Sequence, residues 1–342
     1  VATRLLRTAL HDLLLDPADT TAFRHVAEQA HRAAAAAVLE SDQSGLARWT
    51  LPDDLSLVLP AASRTDQRPG TVPTVHHGGR RRRDGLCRLR KDGGMLRSPR
   101  ALLLDFGGVL ADAPRQSPAP PDLVRRLSDL VGGTVSGEQI TTDLTEGGRA
   151  YGRWRDDSAH TGEPIELTHP QVWADFVTHS WPEPARAAVE EAATSLAYAW
   201  AWRPDWQIRP GIPEALRAAA DAGLPMAVVS NALCGAAHRD FLATAGLSDL
   251  FAAEFYSDEA GLRKPNPRLA WLAAEAIGVP IGECWFIGDT VHRDVACARR
   301  AGTAAAILMR SPRTDREPPH PQLRPDARIE DGHGLVTLLH QR

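Results

Sequence analysis

Asp105 closes the apolar run Leu102-Leu103-Leu104 and precedes Phe106-Gly107-Gly108, and Ser230 and Asn231 close Val228-Val229. Lys264 lies in Arg263-Lys264-Pro265-Asn266-Pro267, and Asp289 follows Phe286-Ile287-Gly288 with Asp294 downstream. A carboxylate in a glycine-lined turn can act as a covalent nucleophile or a metal ligand. Glycines there let a phosphate approach the backbone and accept hydrogen bonds from N–H groups, so Gly108 is a phosphate-binding candidate. Ser230 can donate to a phosphoryl oxygen, with Asn231 beside it fixing the turn. Lys264 can neutralise the phosphoryl group or the nucleophile, a charge pair of about 4 kcal/mol at about 4 Å and an effective dielectric near 20. Asp289 and Asp294 form the acidic side of a Mg²⁺ site, which needs few protein carboxylates plus substrate and water oxygens. Each residue alone has a plainer reading: a turn for Asp105, a helix cap for Ser230, a surface charge for Lys264, an Asx turn for Asp289. Their joint occurrence in this order points to phosphoryl chemistry.

Three of these segments share one design, an apolar β-rich run halted at Asp or Ser. In a parallel α/β sheet that design puts the polar group at a strand's carboxyl end, where such folds bind ligands. The chain has 37 Arg but only two Lys (Lys91 and Lys264) and two Asn (Asn231 and Asn266). Against that bias a retained Lys or Asn marks a chemical requirement, and three of the four fall inside the segments.

The elements needed to position these groups follow from the pattern. A strand ends at Asp105, and residues 113–208 read mostly as helices with Pro-rich joints. Next come a helix to Ala222, a strand to Ser230, a helix around His238 to Ala245 and a short strand at Glu254 to Tyr256. A helix at Pro267 to Ile277, a strand at Cys284 to Ile287, a helix at Asp294 to Ala301 and a strand at Ala304 to Met309 complete the alternation. Alternating strands and helices predict a parallel sheet covered on both faces, with the helical stretch inserted between its first two strands. Six of the nine Trp lie in or at the exit of that stretch; packing between its helices is the favoured reading and ring stacking on a substrate the rival.

The 342 residues suit two packed units plus a tail. No apolar run approaches the roughly 18 to 20 residues that cross a bilayer. Four cysteines without C-x-x-C spacing fit small buried thiols in a reducing compartment, and a cytoplasmic protein is expected. Residues 1–60 read as weakly helical, at Leu5 to Leu14 and Thr21 to Glu40. Residues 64–100 are rich in Arg, Gly, Pro and His, with 11 basic residues against three acidic ones. Lacking interleaved aromatics, that stretch reads as a linker rather than a nucleic-acid patch. The first Met is Met95, ten residues before Asp105. The expectation is an enzyme starting near Met95, with residues 1–94 an over-extended reading frame or an accessory arm. Expected boundaries are 1–98 for the N-terminal segment, 99–112 with 209–342 for the core, and 113–208 for the insertion.

The four segments resemble the motifs of the haloacid dehalogenase-like hydrolase superfamily, subfamily I with a helical C1-type cap, over residues 101–310. The resemblance implies a Rossmann-like three-layer α/β core, with the insertion as cap. It implies Asp105 as a nucleophile forming an aspartyl-phosphate, Ser230 as the phosphate-binding hydroxyl and Lys264 as the charge stabiliser. It further implies Mg²⁺ held by Asp105, the Gly107 backbone carbonyl and Asp289, with Asp294 a ligand or a supporting carboxylate. The expected activity is a Mg²⁺-dependent phosphatase of a small phosphorylated metabolite, a monomer or homodimer without membrane or nucleic-acid partners. One position departs from the pattern: the general acid two residues after the nucleophile is Gly107, and losing such an acid typically costs about 10²- to 10⁴-fold. Asp112, His160 and Glu163 are candidate substitutes, and His292 reads as a loop residue. Two alternatives stand beside the phosphatase, a 2-haloacid dehalogenase-type hydrolase and a catalytically silent binding module. Asp289 argues against the first; joint retention of Asp105, Lys264 and Asp289 argues against the second.

Overall fold

Six strands of mostly apolar residues make one sheet in the computed structural model, all parallel: β1 (Ala101–Leu104), β2 (Met226–Ser230), β3 (Ala253–Tyr256), β4 (Cys284–Gly288), β5 (Ala305–Met309) and β6 (Ala327–Ile329). Their order is β6-β5-β4-β1-β2-β3, so β1 sits centrally between β4 and β2. Strand residues alternate between two cores, as the two-residue side-chain period requires. Leu102, Leu104, Val228 and Ile287 face the helices Ile212–Asp221 and Gly332–His340, while Leu103, Val229 and Phe286 face Arg268–Ala276 and Ala296–Ala301. Both faces are covered, which is the three-layer arrangement expected of a parallel sheet. β6 and the last helix follow the strand ending at Met309, where the alternation read from the sequence stops, and lie within the expected core of 209–342. Ala327, Arg328 and Ile329 are too few to show a periodicity of their own.

Five helices are inserted between β1 and β2: α1 (Pro121–Leu130), α2 (Gly137–Ser158), α3 (His169–Phe176), α4 (Glu183–Glu191) and α5 (Ala193–Ala201). They have their own core, in which Trp173, Trp181 and Trp200 pack with Leu127, Ile140 and Leu144. That is the packing role expected for these tryptophans. An antiparallel ribbon, Ala111–Asp112 with Gln207–Ile208, joins the entry and exit of the insertion.

The structure describes residues 95–113, 119–318 and 320–341, with backbone pairing for three short strands before them. The helices expected at Leu5 to Leu14 and Thr21 to Glu40, and most of the Arg-rich stretch, lie outside the described residues. The chain divides into compact units at Val1–Arg81 and Arg82–Arg342. The second unit thus starts earlier than residue 99. Its hairpin pairs Leu86–Arg88 with Met95–Arg97, Leu96 enters the core, and Trp285 Nε1 donates to the Arg97 carbonyl at 2.8 Å.

Candidate active site

Asp105 follows β1 directly, Ser230 is the last residue of β2, and Asp289 follows β4, so adjacent central strands deliver all three to one edge of the sheet. Lys264 comes from the loop after β3. Its Nζ lies 2.8 Å from Asp105 Oδ1 and 2.6 Å from Asp294 Oδ1, and donates to the Val229 carbonyl at 2.8 Å. Burial pulls the Lys264 pKa down, but the Asp105 and Asp294 carboxylates outweigh it and hold the ammonium above its ordinary value. The lysine is therefore a fixed positive charge against the candidate nucleophile.

Asp294 has one oxygen hydrogen-bonded and the other paired with a charge. Oδ1 meets Lys264, while Oδ2 accepts from Thr290 Oγ1 at 2.6 Å and from the Thr290 N–H at 2.9 Å. Burial raises its pKa, and the Lys264 charge more than reverses that, leaving it below the usual range. Of its two expected roles this engagement favours the supporting carboxylate, which aims Lys264 and closes the Asp289–Thr290 turn. That turn needs glycine before it: a Cβ at Gly288 would fall 2.1 Å from Asp294 Cβ. Asn231 has a duty other than phosphate binding. Its Oδ1 accepts from the Lys264 N–H at 2.7 Å and its Nδ2 donates to the Lys264 carbonyl at 3.0 Å, so the side chain clips the lysine loop to β2.

The β1 turn departs from expectation at Gly108, whose N–H donates to the Ala111 carbonyl inside the turn and is not presented to a ligand. Glycine is required there for other reasons: φ is +78°, and a Cβ would meet Asp289 Oδ2 at 2.0 Å. Among the described residues, the Phe106 and Gly107 N–H groups and the Ser230 hydroxyl have no hydrogen-bond partner. Ser230 and the turn residues line a cavity of about 1070 Å³ roofed by Tyr151, Trp200 and Trp206.

Asp105, Asp289 and Asp294 each offer an oxygen within 4.8 Å of the others. Asp289 Oδ1 is buried without a hydrogen-bond partner, and the Gly107 carbonyl accepts no hydrogen bond among the described residues. A buried carboxylate oxygen with nothing to satisfy it, beside a second carboxylate and an unused carbonyl, is the hard oxygen donor set of Mg²⁺. Burial, aided by Asp294 and Asp105 and opposed by Arg313, pushes the Asp289 pKa up to about 6.

Several functional groups escaped the sequence reading. Asp289 Oδ2 accepts from Ser311 Oγ at 2.5 Å and from Arg313 Nε at 2.8 Å, and Thr314 Oγ1 donates to its carbonyl. These residues form the loop after β5. Arg313 also occupies the space beside position 107, where an added Cβ would lie 2.6 Å from its Nη2. A guanidinium thus stands where a side chain two residues after Asp105 would project. Burial lowers the Arg313 pKa, but Asp289 and Asp105 raise it further, so the group stays charged and is no proton donor. Arg209 is a second omission: it donates to the carbonyls of Gly108, Arg310 and Glu330, tying the β1 turn to the loops after β5 and β6. The only available signal for these was position, since each follows a strand or precedes a helix at the same edge. Among the candidate proton donors, Asp112 lines the cavity and pairs with Arg209 at 3.3 Å, whereas His160 and Glu163 do not line it. His292 lies in a short π-helical turn, Val291–Val295, also outside the cavity lining.

Comparison with known proteins identifies the family. The family model of haloacid dehalogenase-like hydrolases matches residues 99–302. A phosphoserine phosphatase of Thermus thermophilus is 37% identical over 125 residues, which is 36% of this chain and 48% of that protein. This chain thus aligns with about half the length of that relative. A glyceraldehyde 3-phosphate phosphatase of Methanopyrus kandleri is 26% identical over 210 residues, 60% of this chain and 82% of that one. The solved structure of the HAD-hydrolase YfnB from Bacillus subtilis, bound to magnesium, covers 71% of this chain and 99% of its own, at 16% identity and a TM-score of 0.47. With its carboxylates and lysine gathered at the strand ends and the family match spanning well over half its length, the chain belongs to the haloacid dehalogenase-like hydrolases.

Proposed function

We propose that the protein is a Mg²⁺-dependent phosphatase that hydrolyses a small phosphorylated metabolite through an aspartyl-phosphate on Asp105. The carrying observation is Asp105 held 2.8 Å from a buried Lys264 in a cavity that also contains the unsatisfied Asp289 Oδ1. The free carboxylate oxygen of Asp105 attacks phosphorus, the P–O bond to the leaving group breaks, and the leaving oxygen takes its proton from water. Ser230 and the Phe106 and Gly107 N–H groups donate to the phosphoryl oxygens, and Lys264 offsets the developing negative charge. A water molecule then attacks phosphorus and returns Asp105. Mg²⁺, held by Asp105, Asp289 and the Gly107 carbonyl, supplies charge neutralisation when bound. The insertion acts as the cap that excludes bulk water and sets specificity. Arg155, Arg293 and Arg316 line the same cavity, which favours a metabolite with a second anionic group. Dehalogenation needs no metal, so an oxygen-donor cluster that includes a buried, unpartnered carboxylate oxygen favours the phosphatase. The reading is completed by a cytoplasmic monomer or homodimer with neither membrane nor nucleic acid as partner. Among the described residues no helix is long and apolar enough to cross a membrane.

The test is hydrolysis of para-nitrophenyl phosphate and a panel of metabolite phosphates, with and without a second carboxylate or phosphate, in Mg²⁺ and in EDTA. Phosphate release that requires Mg²⁺ and vanishes in Asp105→Asn, with an unchanged melting curve, is expected. Turnover near wild type in that variant overturns the nucleophile. Chloride release from 2-haloacids without phosphate release would establish the dehalogenase instead.

A further inference from the structure

A second donor cluster lies where the insertion meets the core, distinct from the carboxylates of the cavity. His169 is the first residue of α3. Cys234 precedes the helix Gly235–Thr244, and Asp258 lies in the turn after β3. One ligand atom from each of the three lies within 4.8 Å of the others. His169 Nε2 donates to the Leu233 carbonyl at 2.9 Å and stands 3.3 Å from Asp258 Oδ2, while Nδ1 is 3.1 Å from Thr194 Oγ1. Both Asp258 oxygens accept from the Gly235 N–H at 3.0 Å.

This geometry does not suit a Cys-His-Asp relay. A relay uses one ring nitrogen for the acid and the other for the thiol, and here Nδ1 is turned away to Thr194. The arrangement suits convergence on one point once the ring proton sits on Nδ1, where a hydroxyl anchors it, which is how metal-ligating histidines are held. Cys284 and Cys297 direct their thiols at carbonyls, but the Cys234 thiol donates to no acceptor among the described residues. It lies at a helix N-terminus, where the Ala236 and Ala237 N–H groups favour a thiolate. Burial, seconded by Asp258, pushes its pKa up to about 12. We propose that His169, Cys234 and Asp258 form a site for a thiophilic divalent cation of the zinc class, clasping the insertion to the core. The mixed sulfur, nitrogen and oxygen donors select Zn²⁺ or Co²⁺ over Mg²⁺. Binding forms the metal–sulfur bond, releases the thiol proton to solvent and shifts the ring proton from Nε2, where it meets the Leu233 carbonyl, to Nδ1, where Thr194 Oγ1 accepts it. The His169 side chain is 14% exposed, against 5% for Asp258, so the cation enters past the imidazole, and water takes the fourth position. Occupancy would fix α3 against the loop that starts at Ser230 and Asn231, and so set how the insertion sits over the cavity.

The experiment titrates the full chain with Co²⁺ under a non-thiol reductant, with Mg²⁺ in excess to occupy oxygen sites. One equivalent giving a thiolate-to-cobalt charge-transfer band, bleached by Zn²⁺, is expected. Cys234→Ser should abolish the band, His169→Gln should weaken binding at least about 100-fold, and Thr194→Val should weaken it by about 10- to 100-fold. Cys284→Ser, remote from the cluster, should retain the band, with circular dichroism checking the fold of every variant. No band in the wild type, or a band that survives in folded Cys234→Ser, overturns the proposal. Full affinity in His169→Gln overturns it equally. The readout involves no turnover, so its failure and that of the phosphatase reading are separable.

Discussion

At the scale of single residues, the departure at position 107 gains a physical explanation from Arg313. The guanidinium is held by Asp289 and fills the space that a side chain at 107 would enter. An Asp placed at 107 alone would meet that guanidinium and form an ion pair instead of serving as a proton donor. Gly107→Asp is therefore expected to gain little on esters with poor leaving groups. The double variant Gly107→Asp with Arg313→Ala should gain up to about 10²-fold, the lower range for a general acid. Rates on an alkyl and an aryl phosphate check this, and equal gains in the single and double variants would refute the obstruction. Arg313→Ala by itself leaves Asp289 Oδ2 with Ser311 as its remaining side-chain partner. Because the Arg313 side chain is 39% exposed, the loss is discounted to about 1 kcal/mol or less. Mg²⁺ should then raise the melting temperature of the variant more than that of the wild type, since the cation replaces the lost charge. Asp105, Ser230, Lys264 and Asp289 were legible because each interrupts an apolar run or stands out in an Arg-rich, Lys-poor chain. Arg313 and Arg209 were not, because 37 arginines conceal any one of them.

Among the elements, the insertion is tied to the core through a buried ion pair. Arg263 Nη1 lies 2.7 Å from Glu166 Oε1, Ser257 Oγ donates to Glu166 Oε2 at 2.5 Å, and the Arg263 guanidinium lies 4.6 Å above the Trp154 ring. Burial raises the Glu166 pKa, with Arg263 and Ser257 acting against it. Arg263→Ala leaves that carboxylate buried and uncompensated, a loss of about 3–5 kcal/mol. Replacing both partners, Arg263→Met with Glu166→Leu, should restore most of it, because an apolar pair avoids the desolvation of two charges. Urea unfolding of the three proteins measures the difference; a double variant as unstable as Arg263→Ala would contradict it. The strand–helix alternation was readable from residue 101 to 309 because most of its strands are apolar runs, β3 with its Glu254 being the exception. The junction was not, since Glu166 and Arg263 are 97 residues apart and polar, and only the folded chain makes them partners.

For the whole molecule, the most direct consequence is a contribution of His238 to the dependence of global stability on pH. The imidazole stacks on Phe106, the residue after the candidate nucleophile, with centroids 3.9 Å apart, and meets Trp206 edge-on at 5.2 Å. Its Nδ1 is buried without a hydrogen-bond partner. Burial first, then the charges of Arg313, Arg239 and Lys264, lower its pKa from 6.5 to about 3, against an opposing pull from Asp258. The unfolded chain takes up this proton near pH 6.5, and the folded chain only near pH 3. Between those values the unfolded state binds more protons, so the contribution is complete above pH 6.5 and declines as the pH falls toward 3. The slope from this one group is at most about 1.4 kcal/mol per pH unit, and smaller because the residue is only half-buried. His238→Gln has no such proton to refuse. Its urea midpoint should change less than that of the wild type when the pH falls from about 6.5 to about 5. Parallel pH profiles for the two proteins would place the ring in a solvated environment. The stacked Phe106 could then no longer be regarded as held in a dry, fixed position beside Asp105.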